Sequence, residues 1–387
     1  MNSILTHSSL NITTNTNIDW EITILNGIVH EYLNKQELSE ISLTTRRIRR
    51  KLYPLLFTKL RTNPKVLYSM PNFFQHRDNF DFDRLSYSER YRANKAQIDP
   101  FFTQATTELE RVAKTCKVLN LDQLRKVCYF LIPITSQFLN LYEIYIYNCY
   151  LPFYKLNDIL KNLSKLEVLK LDHIILLKST EESELPNDLG FPPSLKSLIY
   201  GNVKLVVNDS PQLHTAEFVY NQIPFYSGIR LDLLPQNIPL LNSLTYSNYN
   251  PSQNLIKFLG LNSHLEDLTL SITQLTPSTL SALSSISNLE CLKLETNDLS
   301  FEVPYITPGF NNPLKLKDLT LILLNSSDFN IAKQFIQLTP NLTKLTIRAL
   351  NDQLFEEFNY LINTLNYFAK YEDTFGGFNF ITRVYTK

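Results

Sequence analysis

Glycine is scarce in this 387-residue chain: it occurs 8 times, about 2% of residues where roughly 7% is usual. The glycines are Gly27, Gly190, Gly201, Gly228, Gly260, Gly309, Gly376 and Gly377. Dinucleotide fingerprints and P-loops need glycines clustered where backbone meets phosphate. No two of these have such spacing, so both kinds of phosphate loop are excluded. A net charge is also lacking: Lys+Arg and Asp+Glu both total 37, so no overall field draws the chain to nucleic acid or an anionic membrane. There is no apolar run near 18 residues, the length that would span a bilayer. Residues 1–17 lack the basic start and apolar stretch of a secretion signal and are expected to be a disordered N-terminus. The 4 cysteines, Cys116, Cys128, Cys149 and Cys291, include no CxxC. They read as reduced core thiols of a cytoplasmic and/or nuclear protein. Asn-Ile-Thr at 11–13 and Asn-Leu-Thr at 341–343 read as accidental matches to glycosylation acceptors.

What is present is a repeat. The pattern LxxLxL begins at Leu141/Ile144/Ile146, Leu166/Leu169/Leu171, Leu195/Leu198/Tyr200, Leu213/Ala216/Phe218 and Leu241/Leu244/Tyr246. It continues at Leu265/Leu268/Leu270, Leu289/Leu292/Leu294, Leu316/Leu319/Leu321 and Leu342/Leu345/Ile347. The intervals between first leucines are 25, 29, 18, 28, 24, 24, 27 and 26 residues. A weaker copy can be read at Leu124/Val127/Tyr129. Alternating inward leucines at this period are the mark of leucine-rich repeats. The expected fold is therefore an α/β leucine-rich repeat solenoid over 121–351, a horseshoe with parallel strands on its concave side and helices outside.

The connecting segments carry helix signals. Thr276-Pro277-Ser278 offers a capping threonine with proline at the first helical position. Leu280, Leu283 and Ile286 follow at helical spacing, and Asp328 can cap a helix carrying Ile331, Phe335 and Leu338. Residues 352–369 read as an amphipathic helix within a C-terminal cap, 352–387. Residues 63–120 form a connecting segment expected to pack on the solenoid, with Phe73, Phe74, Phe80, Phe82, Phe101 and Phe102 among its charges.

Residues 18–62 are predicted to be helical. Ile24, Leu25, Ile28, Val29 and Leu33 make one stripe, and Leu38, Ile41, Leu43 and Ile48 make a second. Leu55, Leu56 and Phe57 follow Pro54. Such a small core usually needs help, which a partner chain can supply by covering leftover apolar surface. The run from Tyr32-Leu33 through Glu37-Leu38, Ile41, Leu43 and Arg46-Arg47-Ile48-Arg49 resembles the second half of an F-box, YLxxx[DE]LxxLxLVxRRWR. Pro54-Leu55-Leu56-Phe57 is similar to its closing PLLW element, while Glu21-Ile22 stand where its opening Leu-Pro would be.

The resemblance implies a small all-α N-terminal F-box-like domain and a non-catalytic substrate receptor of an SCF-type ubiquitin ligase. Such a receptor bridges a Skp1-like adaptor, and through it a cullin scaffold, to a protein substrate. It acts by raising the effective concentration of substrate near the conjugating enzyme. By the same resemblance Leu25, Val29, Leu33, Leu38, Ile41, Leu43, Ile48, Leu55, Leu56 and Phe57 form the module core or its adaptor face. A structural subunit without substrate turnover, or a repeat scaffold that binds no adaptor, are the alternatives.

Other chemistry finds little footing. The cluster Arg46-Arg47-Ile48-Arg49-Arg50-Lys51 can be read as a nuclear import or nucleic-acid patch, but basic residues at a helix end explain it more simply. His30-Glu31 begins like a zinc-protease helix, yet Asn34 stands in place of the second ligand. No catalytic residue, metal or cofactor is expected, and neither nucleic acid nor membrane is expected as a partner. Period-two geometry instead sends the third, fifth and seventh repeat positions to the concave side. That side collects Glu143, Tyr145, Tyr147, Lys170, Asp172, Asp267, Lys293, Glu295, Lys344 and Arg348, with Asp318 and Thr346 beside them. Mixed signs and paired tyrosines point to a protein ligand.

Overall fold

The computed structural model describes residues 35–63, 106–179 except 108, 111 and 127, 188–208, 228–248, 251–295, 314–323, 334–349, 370–375 and 381–386. Alternating leucines make strands here because one face of each is buried and the other is not. The strands are β1 (Lys59–Thr62), β2 (Val118–Arg125), β3 (Glu143–Pro152), β4 (Val168–Ser179), β5 (Ser197–Gly201), β6 (Lys204–Asn208) and β7 (Ile229–Arg230). They continue as β8 (Ser243–Tyr246), β9 (Asp267–Ser271), β10 (Cys291–Glu295), β11 (Asp318–Leu323), β12 (Lys344–Ala349), β13 (Lys370–Phe375) and β14 (Ile381–Thr386). All belong to one 14-stranded sheet, ordered β1-β2-β3-β4-β5-β8-β9-β10-β11-β12-β14-β13, with β6 on β4 and β7 on β6.

Pairing from β1 to β12 is parallel, and the leucines stand in register: Leu244, Leu268, Leu292, Leu319 and Leu345 form one buried row. Each such side chain contributes roughly 1.5–3 kcal/mol by leaving water. Strand entry has a repeated bond pattern. Two successive amides share one carbonyl of the preceding strand's approach, as Glu167 and Val168 do with Tyr142, and Glu290 and Cys291 with Glu266.

The helices are α1 (Lys35–Ser42), α2 (Arg46–Leu56), α3 (Cys128–Thr135), α4 (Phe153–Asn162), α5 (Gln253–Leu261) and α6 (Pro277–Ser285). Thr276 caps α6, its hydroxyl accepting from the Thr279 amide at 3.1 Å, and Leu280, Leu283 and Ile286 are buried. Asn262 ends α5 fully buried. Its side chain accepts from the Ile238 amide at 2.9 Å and donates to the Gln236 and Phe258 carbonyls, each at 2.8 Å. The Tyr200 and Tyr246 rings, register partners on the neighbouring strands β5 and β8, stack at 6.3 Å on the buried face. The Tyr246 hydroxyl donates to Asp232, and the Ser252 hydroxyl donates to the same carboxylate.

The fold-class expectation is corrected. The structure shows a mostly parallel sheet with helices, not a horseshoe-shaped leucine-rich repeat solenoid preceded by an all-α F-box-like domain. Several features separate the two. Helices are described at only some of the steps between strands, after β2, β3, β8 and β9 and at residues 334–338 before β12, whereas β5 is followed by another strand, β6. Between β5 and β8 the chain builds β6 and an antiparallel partner, β7. The sheet ends in antiparallel strands β14 and β13 beyond β12. Pro54 lies inside α2, which runs on through Leu55 and Leu56. The weak copy at Leu124/Val127/Tyr129 is out of register: the strand β2 buries Leu119 and Leu121 level with Ile144 and Ile146, Leu124 stands near its end, and Tyr129 lies in α3, while Val127 lies outside the described residues.

The copy at Leu213/Ala216/Phe218, the helix over 352–369, Asp328, Ile331 and the residues preceding Lys35 lie outside the described residues. By contacts the chain divides into two units, Met1–Thr58 and Lys59–Lys387. Among the described residues no helix is long and apolar enough to cross a membrane.

Candidate interaction surfaces

In the first unit, α1 and α2 meet at a small apolar core of Leu38, Ile48, Leu52 and Leu56, with Ile41 packed against it. Thr45 caps α2 through its hydroxyl, which accepts from the Ile48 amide at 3.1 Å. The structure splits the residues suggested for adaptor binding. Leu38, Ile48 and Leu56 are core; Leu43 is 67% exposed, and Leu55 and Phe57 are each 39% exposed. Leu25, Val29 and Leu33 lie outside the described residues.

In the second unit, alternation leaves one face of the sheet open, and the suggested ligand residues all stand on it. They form two groups. On β3 and β4, Lys170 reaches Glu143 at 3.4 Å and lies 6.0 Å from the Tyr145 ring. Tyr145 and Tyr147 are parallel at 6.4 Å, and Tyr147 meets the His173 ring edge-on at 5.4 Å. His173 Nδ1 is 2.9 Å from Asp172 Oδ1. That hydrogen bond raises the imidazole pKa above its ordinary 6.5, against burial and Lys204, which lower it. Burial raises the Tyr145 hydroxyl, helped by Asp122 and Asp172.

Gly201, level with Asp172 on the neighbouring strand, has a purpose here. A Cβ at that position would lie 2.6 Å from Asp172 Oδ1 and 3.3 Å from Ser247 Cβ. Asn148, His173 and Asn202 all take positive φ, 50°, 55° and 50°, where asparagine and histidine are tolerated better than branched residues. They bend successive strands at one level and carry His173 to the tyrosines.

The second group lies on β9 to β12: Asp267, Lys293, Glu295, Lys344 and Arg348, with Asp318. Lys293 pairs with Glu295 and Lys344 with Asp318, both at 2.6 Å. Cys291 also faces outward here, which corrects its assignment to the core. Cys116, Cys128 and Cys149 are buried, and all four are free thiols. Burial, a hydrogen bond to Asp267 and the charges of Asp318 and Glu290 push the Cys291 thiol up to about 11. It stays protonated at neutral pH and is a poor nucleophile.

The ten suggested residues therefore fall into two groups on one face. β5 and β8 stand between the groups, so β4 and β9 are roughly 14 Å apart at normal strand spacing. The interposed open-face residues are neutral: Ser197, Ile199, Gly201, Ser243 and Thr245. Sequence reasoning passed over His173, Gly201 and Asn202, although an Asn or His just past each strand core was a readable turn signal. Among the described residues no group of three His, Cys, Asp or Glu could hold a metal ion. Compared with protein-family models and with curated proteins, the chain matches none.

Proposed function

We propose that this chain is a non-catalytic receptor that bridges a Skp1-like adaptor and a protein ligand, delivering the ligand to an SCF-type ubiquitin ligase in the cytoplasm or nucleus. The observation that carries this reading is the exposure of Leu43, Leu55 and Phe57 on a helical pair whose core, among the described residues, is four side chains with Ile41 against them. A core that small gains stability when a partner covers the remaining apolar surface. The likeness of residues 32–57 to the F-box names the kind of partner. The tyrosine pair on β3 supplies the aromatic anchor that protein interfaces favour.

The test is co-expression of the full chain with Skp1, read by size-exclusion chromatography. Parent protein should elute as a stoichiometric complex, which Leu43→Asp with Leu55→Asp should disrupt. Both positions are exposed, so the variant should fold, unlike Leu38→Asp, which would put a charge into the core. Tyr145→Ala with Tyr147→Ala should retain the adaptor. A folded parent chain that forms no complex refutes the adaptor role and leaves a scaffold or fixed structural subunit, with no part in ubiquitin transfer.

A further inference from the structure

One face of α2 builds its own cavity. Arg46, Arg49, Arg50 and Tyr53 recur at helical spacing, so they share a stripe that runs beside the buried Ile48, Leu52 and Leu56. With Leu43, Thr44, Thr45 and Pro54 they line an open cavity of about 550 Å³. None of these lining groups is a carboxylate. From Lys35 to Thr58 the chain has six Lys and Arg against two Glu, within a protein of zero net charge. The two threonine hydroxyls are engaged, Thr44 donating to the Ile41 carbonyl at 2.7 Å and Thr45 accepting from Ile48. Recognition there falls to the guanidinium groups, with Leu43 as an apolar ledge.

We propose that this arginine-lined cavity receives an acidic segment of a partner protein, its carboxylates paired with Arg46, Arg49 and Arg50 and an adjoining apolar side chain on Leu43. Arginine suits the task because its planar fork takes carboxylate in a bidentate pair. The inference goes beyond the receptor reading, since charge and shape define it whatever the adaptor proves to be.

The experiment is fluorescence anisotropy with the full chain and a short fluorescein-labelled peptide alternating glutamate and leucine. Parent protein should bind it, more weakly as salt rises. Arg46→Glu with Arg50→Glu should weaken binding at least about tenfold. Arg49 is left alone because its Nε donates to the Ser42 carbonyl at 3.2 Å. The reversal should not harm folding: Arg46 opens α2, where a carboxylate suits the helix dipole, and circular dichroism checks this. Lys51→Glu, exposed on the same helix but outside the cavity, should change affinity by less than about twofold.

Three results would overturn the proposal. One is a parent protein that does not bind the peptide, and another is a loss in Lys51→Glu as large as in the double variant, which would mean diffuse attraction. The third is a single-stranded oligonucleotide that binds more tightly than the peptide through the same arginines, which would mean a nucleic-acid contact. Skp1 takes no part in this assay, so its failure and that of the receptor reading are separate results.

Discussion

Replacing Asn262 should do more damage than replacing any charged residue on the open face. Its side chain is fully buried and serves three backbone groups at once: the Ile238 amide and the Gln236 and Phe258 carbonyls. Phe258 keeps a bond from the Asn262 amide after truncation, so Asn262→Ala orphans two groups, the Ile238 N–H and the Gln236 C=O. At about 1–3 kcal/mol for each buried unsatisfied group, the loss is about 4 kcal/mol. For a unit of this size, with unfolding entropy near 2.1 cal/mol/K per residue, that lowers the melting temperature by about 6 °C. Asn262→Asp should be at least as damaging at neutral pH, because it keeps the acceptor but buries a charge. Urea unfolding followed by circular dichroism measures the difference, with exposed Asn288→Ala as a control expected within about 0.5 kcal/mol of parent. If Asn262→Ala falls within about 1 kcal/mol of parent, the stretch from Gln236 to Ile238 is not held by this amide and the reasoning fails.

Lys126 is buried beside Tyr150, and burial lowers its pKa from 10.5 to about 8. The folded state thus binds fewer protons than the unfolded state between those values, and stability rises with pH across that window, by about 3 kcal/mol at most. Lys126→Met should remove that slope and exceed the parent in stability below pH about 8; parallel pH dependence of the two proteins in urea unfolding would refute it. Gly201→Ala should force the Asp172 carboxylate away from His173, since the new Cβ would stand 2.6 Å from Asp172 Oδ1. The His173 pKa should then fall back toward 6.5 in a proton NMR titration, and an unchanged titration would show that Asp172 does not set it.

How much of this was legible in the sequence depends on which force placed each residue. Alternating burial is written residue by residue, so the strands through Leu169, Leu198, Leu244, Leu268, Leu292, Leu319 and Leu345 could be located, and their outward residues with them. The proline-backed cap at Thr276 was legible for the same local reason. The strand preceding β3 was set in the wrong register because Cys116 stands where a leucine was sought, and a buried cysteine behaves as a small hydrophobe. The horseshoe failed at a different level. A period reports how often a strand returns but not how the chain travels between strands, and the excursion through β6 and β7 shows in the leucine spacing only as the short interval from Leu195 to Leu213, which does not say what the chain builds there. Asn262 was illegible because its role needs a segment 24 residues away. The two open-face groups looked like one, since nothing in either pattern states that β5 and β8 come between them.

The two candidate surfaces use charge in opposite ways. On the open face the ions answer one another: Arg61 with Asp122, Lys170 with Glu143, His173 with Asp172, Lys293 with Glu295, Lys344 with Asp318. Exposed pairs of this kind add little stability, typically about 0–1 kcal/mol each, but they cancel the field a distant partner would feel. Selection there must come at contact, from the shape of the Tyr145 and Tyr147 rings and the neutral saddle beside them. On α2 the arginines line a cavity without carboxylates, so a field reaches outward over about 8–10 Å at physiological salt. Raising ionic strength should therefore loosen whatever binds α2 while leaving a ligand of the tyrosine face nearly untouched. Two partners, one on each surface, would then be separable by salt, which is what the proposed bridging role requires.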